Sequence, residues 1–125
     1  MIWEPTDAVR SRARITHYMN WLQRQRGLAF DDYDHLWRWS VTDLPAFWAS
    51  VWDYFDVRAS VPYDRVLVEA RMPGAVWFPG ARLNYVDQVF RDVSRSQPAI
   101  VFRYEGGNRV DVSWSDLERR VASLA

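Results

Sequence analysis

Apolar positions recur at helical spacing from Thr6 to Arg26, where Ala8, Ile15, Met19 and Leu22 share one narrow sector at about 100° per residue. The spacing predicts a single helix. Thr6 is placed to cap it, Asp7 suits the positive end of its dipole, and Gly27 stands where a helix stops. Trp21 points the other way, among Arg10, Arg14 and Arg24. Two explanations are open: a second cover that this chain lacks, or an indole lying flat beneath arginine side chains.

Farther along, Phe30 to Trp39 carries Asp31, Asp32, Asp34 and His35 ahead of Leu36, Trp37 and Trp39. The carboxylates do not have the alternating spacing, mid-loop Gly and closing Glu of a calcium loop, and one His does not make a zinc triad. An Asp-rich helix start with Leu36, Trp37 and Trp39 leading inward accounts for the same residues. Ser40 to Phe55 gives the strongest amphipathic signal. Ser40 and Asp43 have capping-box spacing, and Val41, Leu44, Phe47, Trp48, Val51, Trp52 and Phe55 form one broad apolar face. Asp43, Ser50, Asp53 and Asp56 are expected opposite it, with Trp48 and Trp52 in a core.

Pro62, Pro73, Gly74, Pro79 and Gly80 interrupt the next stretch, leaving at most a strand fragment at Val66–Val68 and a long loop that includes Val76, Trp77 and Phe78. Such a loop must be pinned to something. A helix is expected from Asn84 to Val93, with Leu83, Val86, Val89, Phe90 and Val93 on one side. Beyond Pro98, Ile100, Phe102 and Tyr104 alternate with Val101 and Arg103, Gly106–Asn108 marks a turn, and Val110, Val112 and Trp114 alternate on the return: a β-hairpin. Ser115 and Glu118 form a second capping-box spacing, and Leu117, Val121 and Leu124 begin a stripe that breaks off at Ala125 without a stop signal. The chain therefore reads as an α+β fragment, its one boundary near residues 94–98.

Composition narrows the chemistry. The 125 residues carry 16 basic and 16 acidic side chains, every basic one is Arg, and there is no Cys. Without Lys there is no Schiff base and no phosphate-loop ammonium; without Cys there is no thiol nucleophile, disulfide or thiolate metal site. Zero net charge and scattered arginines argue against a nucleic-acid partner, and no apolar run of about 18 residues suggests a membrane span. Neither His17 nor His35 lies in a triad signature. Gly106 and Gly107 sit between strands and are not a phosphate loop. The N-terminus has no signal-peptide pattern, so a cytoplasmic setting is expected. No catalytic, cofactor-binding or metal-binding residue is assigned.

The segments Tyr33 to Trp48 and Trp77-Phe-Pro-Gly-Ala-Arg-Leu-Asn-Tyr85, with the early Trp3-Glu4-Pro5, resemble the N-terminal region of acyl-CoA synthetases of the adenylate-forming superfamily, and among them the acetoacetyl-CoA synthetases. Arg82 and Tyr85 separate the loop from that of acetyl-CoA synthetases, while Val86-Asp87-Gln88 departs from the family pattern. The resemblance implies residues 1–94 as the N-terminal helical region and residues 95–125 as the truncated start of the adenylation domain. It also implies a full enzyme that uses ATP, Mg and coenzyme A to activate acetoacetate, with every reacting residue outside this chain. This fragment would be inactive alone, its partner being the rest of its own adenylation domain, which would also cover Trp21. Other readings are the same region of an acetyl- or propionyl-CoA synthetase, a Trp-rich carbohydrate-binding module, and a small regulatory protein. The module predicts Trp quenching by polysaccharide, and the regulatory protein predicts cooperative unfolding with little exposed apolar surface.

Overall fold

The computed structural model of the chain describes residues 4–91 and 96–124. It forms two compact units, one ending at Leu83 and one beginning at Asn84. Among the described residues there are six helices and two small antiparallel sheets.

In the first unit, the predicted helix over 6–26 is two helices, α1 (Asp7–Arg12) and α2 (Arg14–Arg26). Both predicted ends hold: Thr6 Oγ1 accepts from the Val9 amide at 3.4 Å, and Gly27 closes α2 with φ 66°. The break lies at Ala13, whose ψ of 138° is extended. The Thr16 hydroxyl donates to the Arg10 carbonyl at 2.7 Å and the Arg12 guanidinium donates to the Ala8 carbonyl at 3.0 Å. The Thr16 bond crosses the break and reaches a carbonyl that a continuous helix would have paired with the Arg14 amide. Alanine is the best helix former, so nothing local in the sequence marks this site. Within α2 the predicted face holds at Leu22 and Met19, which lie in or against the core, and fails at Ile15. Tyr18 and Leu22, four apart, are buried, while Ile15 is 41% exposed.

α3 (Tyr33–Thr42) and α4 (Leu44–Tyr54) follow, meeting at Asp43. Asp43, not Ser40, caps α4: its carboxylate accepts from the Ala46 amide at 3.1 Å. Proline explains the shift. With Ser40 as cap, Pro45 would lie beyond the first turn and forfeit a backbone hydrogen bond, whereas with Asp43 it falls within the first turn, where no bond is lost. Ser40 lies inside α3 and donates to the Trp37 carbonyl at 2.7 Å. The Asp43→Ala variant should therefore lose about 1 kcal/mol of stability and Ser40→Ala only a few tenths, as read from paired thermal melts; equal losses would restore the cap to Ser40.

The inward face of α4 is rotated from the sequence expectation. Phe47, Val51 and Tyr54 pack on the core of Tyr18, Leu22 and Leu36, and Ser50, expected on the polar side, is 1% exposed. Phe55 and Val41 are exposed. Trp48 and Trp52 lie on the adjoining flank and meet the loop. Trp48 contacts Trp77 (ring centroids 5.8 Å), and Trp52 contacts Tyr63 (5.0 Å) and Phe78 (4.9 Å). The long loop is thus pinned as its composition required. Its only regular pieces are β1 (Leu67–Glu69) and β2 (Val76–Trp77), paired antiparallel with Leu67 opposite Trp77. Arg82 closes it through its backbone: its carbonyl accepts from the Ser60 amide at 2.9 Å, and its amide donates to the Val61 carbonyl at 3.0 Å.

The second unit has α5 (Tyr85–Phe90), capped by Asn84 as expected, a hairpin of β3 (Ile100–Arg103) and β4 (Arg109–Val112), and α6 (Trp114–Ala122). The expected continuation of α5 to Val93, the boundary at residues 94 and 95, and Trp3 of the early motif lie outside the described residues. The hairpin has the expected register, Ile100 opposite Val112 and Arg103 opposite Arg109. Trp114, assigned to the returning strand, instead starts α6, because Ser113 caps that helix by accepting from the Asp116 amide at 3.1 Å. Asp116 completes this capping arrangement two residues before the predicted one, by accepting from the Ser113 hydroxyl at 2.8 Å. Leu124 is exposed.

Candidate functional surface

α2, α3 and α4 pack around a small aromatic core. Tyr18 is its pivot. Its ring meets Tyr54 edge-on at 4.9 Å and Phe47 at 6.4 Å, and its hydroxyl lies 2.5 Å from Ser50 Oγ. Ser50 already donates its one proton to the Phe47 carbonyl at 2.6 Å, so the Tyr18 hydroxyl is the donor of the pair. Sequence patterning missed Tyr18, Ser50 and Tyr54. The available signal was the i, i+3, i+4, i+7 run of Phe47, Ser50, Val51 and Tyr54, which a small hydroxyl in third place concealed.

Burial pushes the Tyr18 phenol above its ordinary 10.0, against smaller opposing effects of the Ser50 hydrogen bond and Arg26. A raised folded-state pKa means stability that is full below pH 10.0 and lost as pH rises through the folded value. Denaturant midpoints should therefore fall above about pH 10, and Tyr18→Phe should flatten that alkaline limb; an unchanged slope in the variant would place the titrating group elsewhere.

Trp21 has a cover within the chain. Its indole stacks on Tyr18 (6.3 Å) and meets Tyr54 edge-on (5.4 Å). Neither a missing domain nor an arginine blanket is needed, because α4 crosses α2 on that side. Arg26 of α2 also pairs with Asp53 of α4.

The acidic cluster before Leu36 serves helix capping. Asp32 Oδ1 accepts from the His35 amide at 2.9 Å and lies 2.8 Å from His35 Nδ1. The backbone hydrogen bond from His35 is the main reason its carboxyl is held below the ordinary 3.8. Among the described residues, no group of three or more His, Asp or Glu could hold a metal ion. Of the residues expected to lead inward, Leu36 and Trp39 do so, but Trp37 is 52% exposed. A ten-residue helix can turn only part of its circumference to the core, and α3 gives that part to Leu36 and Trp39.

The outer ends of these helices enclose an apolar groove of about 300 Å³. Ile15, Leu36, Trp37, Val51 and Phe55 are among its walls, and Arg14 is the one charged residue lining it. Sequence reading placed these side chains on separate helix faces and did not foresee the groove.

Residues 33–89, covering α3, α4, the pinned loop and most of α5, match the family described as the acetyl-coenzyme A synthetase N-terminus. An acetoacetyl-CoA synthetase structure from Streptomyces lividans superposes on 98% of the chain with a TM-score of 0.89 and 43% sequence identity. The acetoacetyl-CoA synthetase of Rhizobium meliloti is 30% identical over 98% of the chain, and a malonamoyl-CoA synthetase of Penicillium aethiopicum is 34% identical over 83%. The chain spans 19% of the length of the two acetoacetyl-CoA synthetases and 15% of the malonamoyl enzyme. In sequence at both motif segments and in fold over nearly its whole length, the chain matches the N-terminal region of acetoacetyl-CoA synthetases.

Proposed function

We propose that this chain is the N-terminal part of a cytoplasmic ligase that activates acetoacetate with ATP to acetoacetyl-AMP and passes the acyl group to coenzyme A, giving acetoacetyl-CoA, AMP and pyrophosphate. The end-to-end match to acetoacetyl-CoA synthetases carries this reading. In it, residues 1–94 are the helical N-terminal region and residues 95–125 open the adenylation domain. The contribution of these residues is mechanical: a helical platform and a pinned loop against which the remainder of the adenylation domain packs.

The residues present do not fit ATP, Mg or coenzyme A. There is no Lys to meet a phosphate, the Gly106 turn joins two strands instead of opening a helix, and Asp32, Asp43 and Asp116 are committed to helix caps. No step of the reaction is therefore assigned to this chain.

The malonamoyl-CoA synthetase supports a second reading of the substrate. Malonamate has an amide where acetoacetate has a methyl ketone, and both acids carry a carbonyl on the carbon β to the carboxylate carbon. The test is ATP–pyrophosphate exchange by the full-length protein with acetoacetate, malonamate, acetate and propionate. Fastest exchange with acetoacetate is expected, and none from the 125-residue chain. Preference for malonamate would support the second reading, and preference for acetate or propionate would overturn both.

A further inference from the structure

The groove between α2, α3 and α4 has the size and chemistry of a small-ligand site. Its volume of about 300 Å³ lies at the lower end of ligand pockets, and its walls are apolar and aromatic. Of its hydroxyls, Tyr18 bonds to Ser50 and Ser40 to the Trp37 carbonyl, while Tyr33 and Tyr54 line the groove as well. Arg14 is its one charge. Its guanidinium lines the groove and has no hydrogen bond or ion pair among the described residues.

We infer that this groove binds a medium-chain fatty carboxylate, its tail against Trp37, Phe55 and Val51 and its carboxylate on Arg14. A lone cation at an apolar concavity complements a molecule with one negative end and an otherwise apolar body.

The experiment titrates hexanoate, octanoate, 1-octanol and octylamine into the chain, followed by calorimetry and by tryptophan fluorescence, with Trp37→Ala identifying the share of the signal from Trp37. Octanoate should bind saturably, about fourfold more tightly for each methylene added from hexanoate. Arg14→Gln, an exposed change that leaves the core untouched, should weaken octanoate about tenfold and leave octanol unchanged. Trp37→Ala should weaken both. The assignment is overturned if octanol or octylamine binds as tightly as octanoate, if Arg14→Gln has no effect, or if nothing saturates. The same titration on the full-length ligase separates a ligand site from a seat for polypeptide: octanoate binding lost there while exchange activity persists overturns the ligand and leaves the proposed function standing. Failure of the exchange assay does not alter the octanoate result, because the titration reads binding at the groove and not turnover.

Discussion

Leu22→Ala is expected to destabilise the unit ending at Leu83 by about 2–5 kcal/mol, and Ile15→Ala by less than about 1 kcal/mol. Leu22 is 0% exposed and sits in the core with Tyr18 and Leu36, surrounded by Met19, Trp21, Leu28, Phe30 and the inner face of α4. Truncating it leaves a cavity bordered by aromatic rings, which cannot collapse into the space without losing their edge-on contacts. Small domains have about 5–15 kcal/mol of stability in total. Only Tyr18, Leu22 and Leu36 form the buried hydrophobic core among the described residues, so one of them carries a large share. Denaturant unfolding followed by far-UV circular dichroism decides the matter. If Ile15→Ala cost as much as Leu22→Ala, the first turn of α2 would be packed as tightly as its middle.

That contrast shows what the sequence made legible. Helix ends were readable where a side chain or a glycine does the work locally, as at Thr6, Gly27 and Asn84. The hairpin was readable because alternation and a Gly-rich turn coincide. Helix faces were less so, because each depends on phase. The Ala13 break ends α1 and starts α2, and Thr16 reaches back across it to the Arg10 carbonyl. The Pro45 constraint moves the cap of α4 to Asp43, and Ser50 can be buried because it bonds to Tyr18 and to the Phe47 carbonyl. Trp21 was unreadable for a different reason: its cover, Tyr54, lies on another helix, and no pattern within α2 points to it. The groove was the least legible feature. It needs three helices at fixed angles, and the isolation of Arg14 is a property of what is not near it. The family resemblance was legible at once, since its two motif segments are the aromatic helix and the loop pinned to it.

Trp52→Ala is expected to release the loop while leaving the helical core folded, at a cost of about 2–3 kcal/mol. That is below the 3–5 kcal/mol of a fully buried tryptophan because Trp52 is only partly buried. Its indole lies against Tyr63 on the outgoing arm and Phe78 on the returning arm, and those two rings meet each other at 5.2 Å. The three rings form one closed set, each contact worth about 0.5–1.5 kcal/mol beyond simple burial. Few backbone bonds could hold the arms without them: Phe78 to Val66 at 2.8 Å, Asp64 to Pro79 at 2.9 Å, and the Arg82 bridge to Ser60 and Val61. β1 and β2 are too short to persist alone. The amides of Phe78 and Arg82 should therefore exchange hydrogen far faster in Trp52→Ala, and proteolysis should move to residues 57–82, while amides of α2 and α4 stay protected. Leu22→Ala should expose both regions together. Equal loss of protection in α2 and in the loop of Trp52→Ala would mean that helices and loop unfold as one unit. Intact protection of Phe78 would mean that Trp48 and Trp77 suffice to pin the loop. The expected pattern makes the loop a separately fastened piece, and its fastening residues, Trp77 and Phe78, lie within the segment shared with the synthetase family.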